Sequence, residues 1–451
     1  MSVIARKPSS PPAEGPLDPR YYDSRDLEAE LKRTFQVCHE CRMCVGYCGS
    51  FPSLFKRIDR DVDSGKAVGA EALDDADIRA VSDACWQCKL CYIKCPYTAD
   101  EGATELLDFP RLMARERAAR SQREGVALVD KILGEPQALG EVAAGPLANV
   151  ANLVSASRLL RKVQEKATGI SAEFPLPTFA PQRFSTWLSG HKSVPTAGEL
   201  GEVVLFATCY GEFNVPAVAR AATLVLEHNG YRVLYPGVGD GGQKALTCCG
   251  LPNVDGGQIP EAQEKIRANV SILHEHVRAG RRVVVIGPSC GMMMKKEWPH
   301  YVDGADVRAV SAATIDVMEL LVLLGKEKKL KREFTSGLGV VAYHAACHLR
   351  TQKIGFPGQR VLNAVPDTEV RMVEECSAVD GTWGMKAKHY ETGRRYAQKL
   401  VRGVSDVEPD LVVSDCSLSA LRIAHENRAR VIHPVEALAR AYGFAEDDPR
   451  A

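Results

Sequence analysis

Eight cysteines at fixed intervals constrain this chain more than any other feature. They read Cys38-x2-Cys41-x2-Cys44-x3-Cys48 and Cys85-x2-Cys88-x2-Cys91-x3-Cys95, with Pro96 closing the second run. Three thiolates at this spacing can wrap one face of an iron–sulfur cubane, and the fourth ligand must come from elsewhere. Two such runs satisfy each other by crossing over. The expected ligands are Cys38, Cys41, Cys44 and Cys95 for one [4Fe–4S] cluster, and Cys85, Cys88, Cys91 and Cys48 for the other. Zinc sites pair C-x2-C elements and need four ligands, so two full tetrads argue against zinc. The first run has Gly49 where the second has Pro96, which removes no ligand. Arg42, Lys89 and Lys94 lie within the runs, as tuners of cluster potential or as solvated cations.

The spacing is that of bacterial two-cluster ferredoxins. The chain has 15 cysteines in 451 residues, none between Pro96 and Thr208 and seven between Cys209 and Cys416. Lys plus Arg equals Asp plus Glu at 57 each, which argues against nucleic acid as a partner. The first 20 residues lack the apolar core of a secretory signal, and runs such as Met318 to Leu324 fall far short of the ~20 residues needed to span a bilayer. The expected location is cytoplasmic, where clustered cysteines more often bind metal than pair as disulfides. Peripheral contact with the inner face of the cytoplasmic membrane stays open.

Local patterns divide the chain. Residues 1–25, rich in Pro and Ser, are expected to be disordered, and 26–110 to form a helical ferredoxin-type domain. Residues 111–198 read as a helical linker broken by prolines. Beyond it, buried strands alternate with helices, as in Val203 to Ala207, Val215 to His228 and Tyr231 to Tyr235, which predicts α/β units on a mostly parallel sheet. The plan occurs twice, over 199–330 and 335–446. Gly201 to Cys209 parallels Gly339 to Cys347, and Arg281 to Cys290 parallels Pro409 to Cys416. The spans Cys249–Cys290 and Cys376–Cys416, 41 and 40 residues, match as well.

Cys209, Thr247-Cys248-Cys249-Gly250 and Pro288-Ser289-Cys290-Gly291 resemble a CCG domain. A modified second copy carries His344-Ala345-Ala346-Cys347-His348, Glu375-Cys376-Ser377 with Asp380-Gly381-Thr382-Trp383-Gly384, and Asp415-Cys416-Ser417. A two-cluster ferredoxin followed by tandem CCG domains is similar to a family of iron–sulfur oxidoreductases. Its members include heterodisulfide reductase catalytic subunits, glycolate oxidase iron–sulfur subunits, lactate-utilisation proteins and the C subunit of anaerobic glycerol-3-phosphate dehydrogenase. The resemblance implies up to five thiolates per copy, C…CC…CxxC. By that pattern the first copy keeps Cys209, Cys248, Cys249 and Cys290, with Met293 at the last position. The second has Cys347, Cys376 and Cys416, with Ser377 and Ser419 replacing cysteines. These seven are candidate ligands of a further cluster, and His344 or His348 is a candidate fourth ligand in the second copy.

The resemblance implies an iron–sulfur electron-transfer subunit of a flavin-linked dehydrogenase. It would relay electrons from a flavoprotein partner, through two [4Fe–4S] clusters, to the CCG module and on to quinone or another acceptor. No convincing flavin motif is present. The alternatives are a heterodisulfide-reductase-like enzyme acting on a disulfide or peroxide-type substrate, and a redox-sensing interaction protein docking through the linker helices. No catalytic residue is assigned. Gly237 to Gly242 matches G-x-G-x-x-G but opens no helix and reads as a loop placing the cysteine pair. Met292 to Met294 read as packing around Cys290, and Lys326 to Arg332 as a solvated linker.

Overall fold

Asp23 starts the first helix by accepting hydrogen bonds from the N–H groups of Arg25 and Asp26 at 2.9 and 2.8 Å. In this computed structural model, which describes residues 4–239, 244–379 and 381–444, the chain forms two units. The Gly237–Gly242 match lies partly outside the described residues, as does Asp380.

The first unit comprises Met1–Lys131 and Pro252–Pro260. It is helical: α1 Ser24–Cys41, α2 Ser50–Asp63, α3 Asp75–Asp83, α4 Leu90–Lys94 and α5 Phe109–Glu124. Its core sets the buried rings of Phe35, Phe51, Phe109 and Trp86 among aliphatic side chains such as Leu31, Leu54 and Ile58, with the rings of Phe51 and Phe109 4.6 Å apart. Buried arginines of α5 satisfy backbone carbonyls beside this core. Arg115 donates to the carbonyls of Tyr21 and Arg20 at 2.8 and 2.6 Å and to Asp26 at 2.7 Å. The proline-rich start, expected to be disordered, is thereby tied to α5.

Arg117 donates to the carbonyls of Ser82 at 2.6 Å, of Cys85, and of Asp255 at 3.2 Å. Gly257 lies against the same arginine with φ +75°, where a Cβ would stand 2.6 Å from the Arg117 carbonyl oxygen, so only glycine fits. A segment beginning two residues after Gly250 thus belongs to the helical unit.

The second unit, Ile132–Leu251 and Glu261–Ala451, holds two four-stranded parallel sheets. The strands are β1 Gly201–Phe206, β2 Tyr231–Leu234, β3 Arg282–Val285, β4 Thr314–Asp316, β5 Gly339–His344, β6 Thr368–Val373, β7 Leu411–Ser414 and β8 Val431–Ile432. The orders are β2-β1-β3-β4 and β6-β5-β7-β8. Strands buried on both faces read as continuous Val and Leu, as in Val203 to Leu205 and Val283 to Val285. In each sheet the chain winds one way from the first strand and the other way from its neighbour, which creates a topological switch point between β1 and β3 and between β5 and β7. Ligands of open α/β sheets bind beyond the strand carboxyl ends at such points.

The stretch expected as one linker, 111–198, divides between the units. The helices Pro136–Ala143, Ala148–Ala156 and Arg158–Thr168 belong to the second. There Asn152 brackets Phe179, accepting from its N–H at 2.8 Å and donating to its carbonyl at 2.9 Å. Local helical pattern says nothing about which neighbour buries a helix.

Candidate metal centres

The eight N-terminal cysteines occupy helix ends and the turns beside them. Cys38 and Cys41 sit in the last turn of α1, on one face at i, i+3 spacing. After Cys41 the chain turns through Arg42 at φ 53°, and after Cys88 through Lys89 at φ 58°. The two basic residues therefore hold equivalent left-handed positions in the two halves. Arg42 also pairs with Asp59 at the surface.

Loss of water contact, then the neighbouring sulfurs of Cys95, Cys44 and Cys41, pushes the Cys38 thiol well up. The same causes, with Cys95 and Cys41 as neighbours, push Cys44 to about 12. For Cys91 the neighbours after burial are Cys48 and Cys85, followed by Cys44 and Cys38. Thiolates are thus disfavoured where cluster ligands must be deprotonated, and a bound cationic iron centre reverses that balance. The donor set fits an iron–sulfur cluster in its chemistry. Gln87, buried within the second run between Cys85 and Cys88, donates to the Cys85 sulfur at 3.6 Å and to the Pro110 carbonyl at 3.0 Å.

In the first sheet, Cys209 lies three residues past β1 and Cys290 five past β3, so the switch point brings them to the same end. Cys248 and Cys249 complete the set. The Cys209 thiol is raised chiefly by its contact with Cys248, and Cys249 by its contacts with Cys248 and Cys290. Cys248 is held well down by donation from Cys209 and Cys249. The four sulfurs form a connected row. Its backbone is clamped from two helices. Asn269, fully buried, donates to the carbonyls of Thr247 and Cys248 at 3.2 and 3.1 Å and accepts from the Thr247 N–H at 2.9 Å. Trp298 donates its indole N–H to the Cys249 carbonyl at 3.0 Å. Gly250 closes the turn at φ +88°, a conformation that L side chains rarely adopt, with the Ala262 carbonyl oxygen 3.3 Å from where a Cβ would stand.

The second sheet repeats this layout with different chemistry. β1 pairs with β3 as Val203 with Arg282, and β5 with β7 as Val341 with Leu411. That register makes Gly287 the counterpart of Cys416, and Cys290 the counterpart of Ser419. Gly287 and Cys416 are moreover both the N-caps of the helices that follow, Pro288–Met292 and Ser417–Asn427. The correspondence of Cys290 with Cys416 expected from sequence is therefore corrected by three residues, and the first copy lacks the first cysteine of CxxC rather than the last. Met293 is buried packing, with Met292 and Met294.

Ser377 and Ser419 have their hydroxyls 2.8 Å apart. Cys376 accepts from the Ala378 N–H at 3.2 Å. Burial pushes the Cys416 thiol up, partly offset by Ser419. His344 is engaged at both ring nitrogens, with Ser414 at 2.8 Å and the Glu375 carbonyl at 3.2 Å, and burial lowers its pKa to about 4. It has no nitrogen left for iron. His348 instead bridges to the first copy, its Nδ1 2.9 Å from the Ser289 hydroxyl. A cavity of about 210 Å³ lies alongside, walled by Tyr210, Ser414, Ser417 and His433 among others.

Among the described residues, no three His, Cys, Asp or Glu side chains are drawn together around a single metal ion. A cubane makes a different demand, since each thiolate binds its own iron. Asn269, Trp298 and Arg117 gave no signal in sequence, being ordinary residues of helical patterns.

The CCG cysteine-rich domain model matches residues 203–295 and 341–422, the first three strands in chain order of each sheet with their cysteine loops. The chain carries two CCG cysteine-rich domains. This CCG protein is 24% identical over 324 residues to the C subunit of anaerobic glycerol-3-phosphate dehydrogenase from Escherichia coli strain K12, covering 69% of this chain and 76% of the relative. It is 26% identical over 252 residues to lactate utilization protein A of Geobacillus kaustophilus, covering 52% of this chain and 98% of the relative. It is also 32% identical over 90 residues to citrate utilization protein B of Escherichia coli, 20% of either chain.

Proposed function

We propose that this protein is the iron–sulfur subunit of a flavin-linked dehydrogenase, carrying electrons from a flavoprotein partner to quinone or another acceptor. The likeness to a named dehydrogenase subunit over 69% of the chain supports a subunit role. The single observation that carries the relay is the donor inventory: eight thiols in the helical unit and a connected row of four in the first CCG copy.

Bound [4Fe–4S] clusters supply one-electron transfer. Cys38, Cys41, Cys44 and Cys95 would hold one, Cys85, Cys88, Cys91 and Cys48 a second, and Cys209, Cys248, Cys249 and Cys290 a third. The residues around them do the positioning. Gln87 orients the Cys85 sulfur, while Asn269 and Trp298 fix the carbonyls of the CCG turn so that Cys248 and Cys249 present adjacent sulfurs. The second copy, with three thiolates and two hydroxyls, offers an incomplete set. We place acceptor access at the cavity beside Ser414 and Ser417, which flank Cys416.

The test is anaerobic purification of the full chain with its co-purifying proteins. Clusters that are reduced by the co-purifying flavoprotein and reoxidised by a soluble quinone, without net turnover by this chain alone, support the reading. Stoichiometric reduction of a disulfide or peroxide by this chain and a chemical reductant would replace it with the enzyme reading.

A further inference from the structure

Among the described residues, nine of the sixteen exposed large apolar side chains fall between Leu139 and Val163. Leu153 is 74% exposed, Leu159 72%, Val142 70% and Val163 57%. Eight of the nine lie on the three helices Pro136–Ala143, Ala148–Ala156 and Arg158–Thr168, and Leu147 is the N-cap of the middle one. The middle helix, ANVANLVSA, has no charged residue. Its Asn152 turns inward to bracket Phe179, which leaves Val150, Leu153 and Val154 facing outward.

The third helix orders its charges. Arg161 is buried and donates to the Phe174 carbonyl at 2.8 Å, so it pins the helix. Glu165 is occupied by the Ala172 N–H at 2.6 Å. Arg158, Lys162 and Lys166 are exposed and recur at i, i+4 and i+8, forming one stripe. Leu159 and Val163 form the adjacent stripe. Leucine and valine beside a row of Lys and Arg is the pattern of a helix lying in a membrane interface. Protein interfaces instead enrich aromatic residues and deplete lysine at their centres, and none of these nine side chains is aromatic.

We infer that residues 136–168 are a membrane-surface docking face, whose aliphatic side chains enter the headgroup boundary of a bilayer while Arg158, Lys162 and Lys166 meet anionic headgroups. No helix among the described residues is long and apolar enough to cross a membrane, so attachment through this face is peripheral. The inference does not depend on which partner supplies electrons.

The experiment is sedimentation of the full-length, anaerobically purified protein with phosphatidylcholine vesicles, with and without phosphatidylglycerol. Binding to the phosphatidylglycerol vesicles, released by salt, is expected. Lys162→Glu with Lys166→Glu should weaken it by at least roughly tenfold. Leu153→Glu with Leu159→Glu should reduce it to background; these side chains are already in solvent, so far-ultraviolet circular dichroism should be unchanged. Wild-type protein left in the supernatant with both vesicle types would overturn the inference, as would equal binding by the variants. So would capture of the flavoprotein by this face without vesicle binding.

Discussion

The hydroxyls of Ser377 and Ser419 meet at 2.8 Å where, in the first copy, the thiols of Cys249 and Cys290 meet. The same backbone plan thus carries a thiol pair in one copy and a hydroxyl pair in the other. A hydroxyl is a much poorer ligand for iron–sulfur chemistry than a thiolate. Two positions that hold thiols in the first copy hold hydroxyls in the second, and the two hydroxyls satisfy each other. Restoring both, Ser377→Cys with Ser419→Cys, should raise the iron content by about four per chain, measured after anaerobic reconstitution. Ser377→Ala should leave iron unchanged.

That offset was hidden in the sequence. The intervals Cys249–Cys290 and Cys376–Cys416 differ by one residue, so they invite a pairing that the strand registers overturn. The two four-cysteine runs stand out in the sequence because all eight cysteines lie at fixed local spacings. The parallel sheets were legible because strands such as Val203 to Leu205 are uniformly apolar. The attachment of Pro252–Pro260 to the helical unit was not, because Gly256–Gly257 reads as an ordinary turn and its partner Arg117 is distant in sequence.

The crossed ligand assignment predicts a specific pattern of damage. Cys95→Ser should remove the spectroscopic signal of the cluster held by Cys38, Cys41 and Cys44, and Cys48→Ser that of the other. Paramagnetic resonance of each reduced variant checks this. Loss of the opposite cluster in each case would mean that the runs do not cross.

Asn269 supplies the donors for two carbonyls of the CCG turn from a fully buried site. Asn269→Ala leaves both without a partner and should destabilise the second unit by about 2–3 kcal/mol, read by denaturant unfolding. Trp298→Phe keeps most of the volume and loses one hydrogen bond, so the expected cost is smaller, about 1 kcal/mol. In both variants the clusters of the helical unit should keep their signals.

Asp316 caps the helix Val317–Lys326 from a buried site, accepting from the Met318 and Glu319 N–H groups at 2.8 and 3.3 Å. Burial raises its pKa to about 6, with Lys295 pulling it down and Glu319 adding charge of like sign. A carboxyl raised on folding favours the native state below its unfolded pKa of about 4, and that advantage is lost as pH rises through the folded value. The contribution lost between pH 4 and 7 is at most about 3 kcal/mol. Asp316→Asn keeps a capping acceptor without the charge. Its stability should fall less than that of the wild type from pH 4 to 7. Parallel pH profiles for the two proteins would contradict the assignment.

The most direct measurement is iron and acid-labile sulfide in anaerobically purified wild type, Cys249→Ala and Cys376→Ala. Three fully ligated clusters, two in the helical unit and one in the first CCG copy, give about twelve iron per chain. The account predicts about twelve for wild type, about eight for Cys249→Ala and about twelve for Cys376→Ala, with an altered rate of reoxidation by quinone in the last. Equal iron loss from both variants, with matching spectra, would mean two equivalent CCG clusters and would contradict it.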